Sequence, residues 1–370
     1  MKFNKNKFLL IIGIIISVVC TWLFIRNIEW TLLKNALQDA NYWFIIPTII
    51  LTLAVYVVRA IRWRILLSHI KLTSVMNLLS VTCIGFMANN IFPARAGEIL
   101  RPFLLTKKED IKFSTSFATV IVERIFDMLG LIIFTVVVII LLPHPSASHH
   151  DTLAHISARQ VSAINESIIP SLKKWTEVFA AVGIFTIASL FLVVLKPDFF
   201  KEILSKLCTF FPHNLRDKIL RLYESFVYGL KILEDKTQAV WILTLSLFIW
   251  VLGGAEIYLL GFAFHMHLPF VGGCLVAVCL ALAVALPQAP GYIGVFHIAV
   301  LKSLHIFGIE TTAAQSYAIV LWAISILPST IIGFLFLWRE GIAFHEVMKL
   351  EEEIAEGTLE ELEGVTRDIK

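Results

Sequence analysis

The chain alternates long apolar blocks with short polar connections. Uninterrupted apolar runs cover residues 8–25, 42–58, 113–142, 176–195, 239–264 and 313–338, and a helix needs about 20 mostly apolar residues to cross a bilayer. Two further apolar stretches, 72–105 and 270–308, are broken by Pro93-Ala94-Arg95-Ala96-Gly97-Glu98 and by Pro287-Gln288-Ala289-Pro290-Gly291. Blocks of this kind end helices, and non-helical backbone survives at membrane depth only inside protein or beside water. Each broken stretch therefore reads as two crossings or as a re-entrant helical hairpin. Shorter amphipathic patterns remain at 30–41, with Thr31 the expected N-cap and Leu33, Ala36, Leu37 and Ala40 on one face. Another covers 201–236, broken at Pro212, with Leu215, Ile219, Leu222, Phe226, Leu230 and Leu233 along one side.

Charge decides between crossings and hairpins. With the N-terminus cytoplasmic and both broken stretches re-entrant, 22 of the 31 Lys and Arg fall on the cytoplasmic side and 6 on the outer side. That asymmetry follows the positive-inside rule; letting one stretch cross completely would put everything beyond it on the wrong side. The expectation is an all-α integral membrane protein with six spanning helices and two re-entrant helical hairpins. It would be a multi-pass protein of the cell (inner or plasma) membrane with both termini cytoplasmic. The run at 8–25, behind Lys2, Lys5 and Lys7, is long for a signal peptide and lacks a small-residue cleavage site, so it reads as an uncleaved span. The 201–236 segment would lie along the inner leaflet, where its cations attract anionic lipid.

The same reading exposes an inverted repeat: residues 8–142 and 176–338 each run span, span, hairpin, span. Pro93-x-x-x-Gly97-Glu98-Ile99 parallels Pro287-x-x-x-Gly291-Tyr292-Ile293, and Ser116-Phe117-Ala118-x-Val120 parallels Ser316-Tyr317-Ala318-x-Val320. Residues 1–340 would form one transmembrane domain and 341–370 an acidic cytoplasmic tail, with no soluble domain large enough to carry an activity of its own.

Composition narrows the chemistry. A hydrophobic share of 58% exceeds the roughly 45–50% of soluble domains. A formal net charge of +3 without a basic, aromatic-rich stripe excludes nucleic acid as a partner. No pair among Cys20, Cys83, Cys208, Cys274 and Cys279 has zinc-ligand or thioredoxin spacing. No Ser/His/Asp set, phosphate-binding loop or His-Glu-x-x-His motif occurs, and His265 and His267 lack partners at metal-ligand spacing. No cofactor and no metal is expected, and the chain is not expected to be an enzyme.

Ionisable groups inside apolar segments are costly and therefore paired or functional. Arg95, Glu98 and Arg101 fall three apart, so a helix begun at the turn stacks them on one face. The planar Arg fork matches a phosphate; the structural alternative is an ion set pinning the hairpin to the bundle. Glu123 and Asp127 share a face of the 113–142 span, with Arg124 rotated by about 100° from Glu123. Three arginines then face three carboxylates, which suits a closed network and equally a site opened by an anion. At the second break, Gly291 and Tyr292, with Gln288 and His297 nearby, offer a hinge or free backbone groups. Arg59, Arg62 and Arg64 read as anchors closing the second span, with Arg59 and Arg62 able to guide a phosphate inward. Glu256, alone in an apolar run, is a candidate proton carrier or a partner for Lys302 or an arginine.

These motifs carry a resemblance. Arg59-x-x-Arg62-Trp63, Asn90-x-x-Pro93-x-Arg95-x-Gly97-Glu98-x-x-Arg101-Pro102, Glu123-Arg124-x-x-Asp127 and Pro290-Gly291-Tyr292-x-Gly294 resemble the lysylphosphatidylglycerol synthase transmembrane-region family, or flippase-like membrane proteins, over about residues 8–338. The resemblance implies a module moving aminoacylated phospholipid or polyisoprenoid-linked lipid between leaflets. Larger members append a soluble aminoacyltransferase domain, which this chain is expected to lack. The resulting expectation is a lipid flippase or lipid-carrier translocase for an anionic or aminoacylated (phospho)lipid. Arg95 and Arg101 would hold the headgroup phosphate, Arg62 would guide it, and Glu98, Glu123 and Asp127 would hold the Arg forks when the site is empty. The partners would be the membrane lipid itself, a homo-oligomer and a separate lipid-modifying enzyme. Alternatives are a lipid-carrier-dependent glycosyl- or phospho-transferase, or a non-transporting membrane assembly subunit.

Overall fold

Backbone amides in hydrocarbon must be bonded within their own segment, and the apolar blocks fold as helices. The computed structural model describes residues 5–26, 28–92, 95–142, 192, 196–210, 213–230, 234–285, 289–342 and 344–349; among them there is no strand. The helices are α1 (Lys5–Ile25), α2 (Trp30–Gln38), α3 (Ile45–Leu67), α4 (Val75–Ile91), α5 (Gly97–Glu109) and α6 (Phe113–Leu141). After them come α7 (Pro197–Leu207), α8 (His213–Leu230), α9 (Lys236–Ala263), α10 (Phe270–Val284), α11 (Val295–Ile306) and α12 (Thr311–Arg339).

Four helices among the described residues are long and apolar enough to cross a membrane: Tyr42–Leu67, Phe113–Leu141, Lys236–Ala263 and Thr311–Arg339. Ile15–Ile25, Val75–Ile91 and Phe270–Val284 are shorter apolar helices. The expected span at 176–195 (Leu192 apart), the connection at 143–175 and residues 351–370 of the tail lie outside the described residues.

Several boundaries differ from the sequence reading, each for a local reason. The second span does not close at residue 58. The helix runs on to Leu67 because Ala60, Trp63, Leu66 and Leu67 continue a buried stripe at helical spacing. Thr31 is not a cap: the N-cap position of α2 is Glu29, which makes no side-chain cap bond. The 201–236 segment is not wholly a surface element. α7 leaves Phe199, Ile203 and Leu207 exposed, whereas α8 packs along α6, buries Leu230 and accepts the Thr115 hydroxyl on the Ser225 carbonyl at 3.2 Å.

Two apolar cores stabilise the bundle. One joins Phe24, Phe134, Val138, Leu275, Val300 and Leu321 from α1, α6, α10, α11 and α12. The other joins Trp63, Ile84, Leu104, Val122 and Leu337 from α3, α4, α5, α6 and α12. α4 and α5 fold against each other at Gly85 and Gly97. A Cβ on Gly97 would stand 1.9 Å from the Gly85 carbonyl oxygen, and one on Gly85 would stand 2.2 Å from the Arg101 side chain. Only glycine permits this approach, and it sends the Arg101 stem across Gly85 into the bundle.

Candidate functional site

A charged cluster occupies the space between α3, α5, α6 and α9. Its centre is Glu123, fully buried on α6. Arg101 reaches it as a fork, Nη1 donating to Oε1 at 3.2 Å and Nη2 to Oε2 at 3.0 Å. Arg62 donates to Oε1 at 3.0 Å and Arg124 to the same oxygen at 2.9 Å. One turn along α6, Asp127 accepts from Arg62, from Arg59 at 3.4 Å, and pairs with Arg124 at 3.3 Å. Arg62 also donates to Ser246 of α9 at 2.6 Å, and the Trp250 indole donates to the Asp127 carbonyl at 3.1 Å. Aromatic faces carry two of the guanidinium groups: Arg101 lies 4.3 Å from the Trp63 ring centroid and Arg59 lies 5.2 Å from that of Phe86. The Trp63 indole is itself fixed by Thr119 at 3.0 Å.

The cluster has a closed half and an open half. Arg62, Arg101 and Glu123 are sealed, whereas the side chains of Arg59, Arg124 and Arg95 are 16%, 33% and 43% exposed. Arg95 does not share the face of α5 with Glu98 and Arg101. It sits before the helix in left-handed backbone, φ 56°, and donates to the Val284 carbonyl at the end of α10 at 2.7 Å. Glu98 lies 3.9 Å from both Arg95 and Arg124. Tyr292, from the second break, stands within electrostatic reach of Arg95, Glu98 and Arg124. The structure thus places Arg62, Arg101, Glu123, Arg124 and Asp127 in one network, with Arg95, Glu98 and Tyr292 at its open edge.

Gly291 supports that edge from behind. Its φ is 70°, that of Tyr292 is 59° and that of Gly294 is 84°, so the second break is a chain of left-handed turns. The Gly291 carbonyl accepts from the Trp322 indole at 2.7 Å, and the Ala289 amide donates to Ser17 of α1 at 2.8 Å. A Cβ on Gly294 would stand 2.5 Å from the Ser17 carbonyl, so this turn is pressed onto α1. Pro93, Ala94, Pro287 and Gln288 lie outside the described residues. His297 is buried and makes ring contacts with Phe24, Phe296 and Trp322.

In the sequence Arg59 and Arg62 read as anchors able to guide a phosphate inward, with Arg62 a candidate binding residue; the structure adds that both pair directly with the α6 carboxylates. Both enter because α3 continues past the end of its apolar run, and the stripe Ala60, Trp63, Leu67 is the signal that could have found them. Their inclusion alters the ledger. Five arginines (Arg59, Arg62, Arg95, Arg101 and Arg124) now face three carboxylates (Glu98, Glu123 and Asp127), an excess of two positive charges. Among the described residues no three His, Cys, Asp or Glu side chains converge as a metal cage.

Known proteins resemble the chain along most of its length. The UPF0104 membrane protein MJ1078 of Methanocaldococcus jannaschii is 26% identical over 68% of this chain and 92% of its own length. A second UPF0104 membrane protein of that organism, MJ1595, is 22% identical over 90% of this chain and 94% of its own. Glycosyltransferase AglD of Haloferax volcanii is 24% identical over 84% of this chain, which spans 51% of that protein. No solved structure matches. The Lysylphosphatidylglycerol synthase TM region matches residues 10–333. The expectation that the chain is no enzyme is corrected here: a synthase names the matching region and a glycosyltransferase stands among the relatives, which points to enzyme-related function. The match runs through every helix that supplies the arginine–carboxylate cluster, and the chain belongs to the Lysylphosphatidylglycerol synthase TM region family.

Proposed function

We propose that this membrane protein binds the phosphate of an anionic or aminoacylated lipid and moves that lipid, or a lipid-linked carrier, between leaflets. One observation carries the reading: a network, buried at its centre and open at Arg95 and Arg124, with two more arginines than carboxylates. An uncompensated charge away from water costs several kcal/mol, and an anion is the direct remedy. The partnerless Nε groups of Arg62, Arg101 and Arg124 mark further unused donor capacity. The phosphate enters at the exposed arginines, Arg95 and Arg124, where a planar fork can donate two parallel bonds. Arg62 and Arg101, held by Glu123, form the fixed floor.

The finer topology belongs to the same proposal: six spans, two re-entrant hairpins in inverted halves, and both termini cytoplasmic. Helix packing supports the duplication. α3 meets α4, α4 meets α5 and α5 meets α6; likewise α9 meets α10, α10 meets α11 and α11 meets α12, while α4 on α12 is mirrored by α10 on α6. Ser116, Ala118, Ser316 and Ala318 are all buried at matching places. Broken helices meeting within inverted repeats are a recurrent transporter plan. A separate lipid-modifying enzyme fits as the partner that makes or consumes the lipid.

The test is binding. Phosphatidylglycerol added to the purified chain should raise its melting temperature, whereas zwitterionic phosphatidylcholine should not. Equal response to the two lipids, or none to either, would overturn the reading. The second reading, transfer chemistry on a lipid carrier, is favoured by the glycosyltransferase name of the Haloferax volcanii relative. It requires a new covalent product when the chain meets a lipid-linked sugar donor, which thin-layer and mass analysis would detect.

A further inference from the structure

Beside the arginine cluster lies a separate cavity of about 120 Å³ between α3, α4, α9 and α12, lined by Thr52, Tyr56, Arg59, Phe86, Glu256 and Ser325. Glu256 is its one carboxylate, and Oε1 of that group has no hydrogen-bond partner. Among the described residues no lysine or arginine forms an ion pair with it, although Arg59 shares the cavity wall. Two hydroxyls stand within hydrogen-bonding reach of the carboxyl, Thr52 and Ser325; each also reaches its own helix, Thr52 the Thr48 carbonyl at 3.0 Å and Ser325 the Leu321 carbonyl at 2.8 Å. An ionised carboxylate has only lone pairs, and a buried Oε1 with no donor and no ion pair offers a place for a proton.

The charged and titratable groups around it are few. α3 sends Tyr56 and Arg59 into the cavity; Tyr317 of α12 lies outside its lining, with its hydroxyl donating to the Ile257 carbonyl at 2.5 Å. α6 meets α9 through Asp127 and Trp250, α10 through Cys274 and Gly254, and the Tyr42–Phe44 turn through Phe44 and Phe262. α4 contributes Phe86.

We propose that Glu256 is a proton site coupled through Arg59 to the anion site, so that lipid and proton move together. The proposal rests on the translocation reading and names its driving ion. The carboxyl releases its proton to solvent and becomes a carboxylate; nothing else is exchanged. Arg59 is the link, because it lines the cavity and also holds Asp127 at 3.4 Å and Glu123 at 4.0 Å. With Glu256 protonated, the cluster keeps its excess of two positive charges; with Glu256 ionised, the excess falls to one and Arg59 is drawn from Asp127. Protonation therefore strengthens binding of an anionic headgroup, and by reciprocity the headgroup holds the proton.

Two measurements on the full chain test this. Dicyclohexylcarbodiimide, an apolar reagent for protonated carboxyls, should label Glu256 in detergent micelles, with labelling that falls from mildly acidic to mildly alkaline pH and ignores sodium. Over the same range the affinity for phosphatidylglycerol should fall about tenfold in the wild type and stay level in Glu256→Gln. Glu202→Gln, on exposed α7, should behave as wild type and controls for general charge effects. Absence of label at Glu256, labelling blocked by sodium, or an unchanged pH response in Glu256→Gln would overturn the proton site. A pH-dependent label on a chain that binds no anionic lipid would leave the proton site standing and overturn the translocation reading instead.

Discussion

Arg101 and Glu123 meet as a closed fork, both guanidinium Nη atoms on both carboxylate oxygens at 3.2 and 3.0 Å, inside the bundle. The contact exists because α5 approaches α4 at Gly85 and Gly97 and because Trp63 lies under the guanidinium. Arg62 and Arg124 lean on the same carboxylate, so Glu123 neutralises more arginine than one charge can.

Removing that carboxylate should be among the most damaging single changes in the protein. Glu123→Ala strands Arg62, Arg101 and Arg124 together, and breaking a buried pair typically costs about 3–5 kcal/mol. Thermal unfolding in detergent should show a large loss for Glu123→Ala, and a smaller one for Asp127→Ala, whose side chain is 13% exposed. Equal, minor effects would mean that water reaches the centre of the cluster.

The α4–α5 approach makes a sharper steric prediction. Gly97→Ala should abolish the folded hairpin, because its Cβ would overlap the Gly85 carbonyl. Gly253→Ala, inside α9, meets nothing within 4 Å and should be neutral or stabilising by up to about 1 kcal/mol. Yields of monodisperse protein and melting temperatures would check both.

The outline was legible in the sequence, and the site only partly. The break points are recovered: α4 ends at Ile91 and α5 begins at Gly97, α10 ends at Val284 and α11 begins at Val295. Proline and glycine chemistry is local, so it can be read locally. Glu123 and Asp127 sit one turn apart, and both find arginines as helical spacing requires. The pairing of Arg59 and Arg62 with the α6 carboxylates is not legible, because hydropathy falls where they begin and an arginine at the end of an apolar run looks the same whether it faces water or a buried carboxylate. Arg95 was misplaced because periodicity assumes helical backbone, whereas it adopts φ 56° and turns toward Val284. That is decided by a neighbour 189 residues away.

Orientation can be tested without any assay of function. In a chain with its native cysteines replaced, Gln38→Cys on α2 should react with a membrane-impermeant thiol reagent in intact cells, and Ser205→Cys on α7 should react only after lysis. Gln38 is exposed and Ser205 half-buried on the exposed helix α7, so full protection reports the membrane. The opposite pattern would invert the topology.

The central claim is that the exposed arginines hold a lipid phosphate during transfer between leaflets. The direct measurement is transbilayer movement of fluorescent phosphatidylglycerol in vesicles carrying the full chain, followed by quenching of the outer leaflet. Wild type should exceed protein-free vesicles. Arg95→Lys and Arg124→Lys keep the charge but lose the fork, and each should slow movement by about tenfold or more, roughly 1.4 kcal/mol, with near-normal melting temperatures. Wild-type vesicles no faster than empty ones, or lysine variants as fast as wild type, would contradict the account.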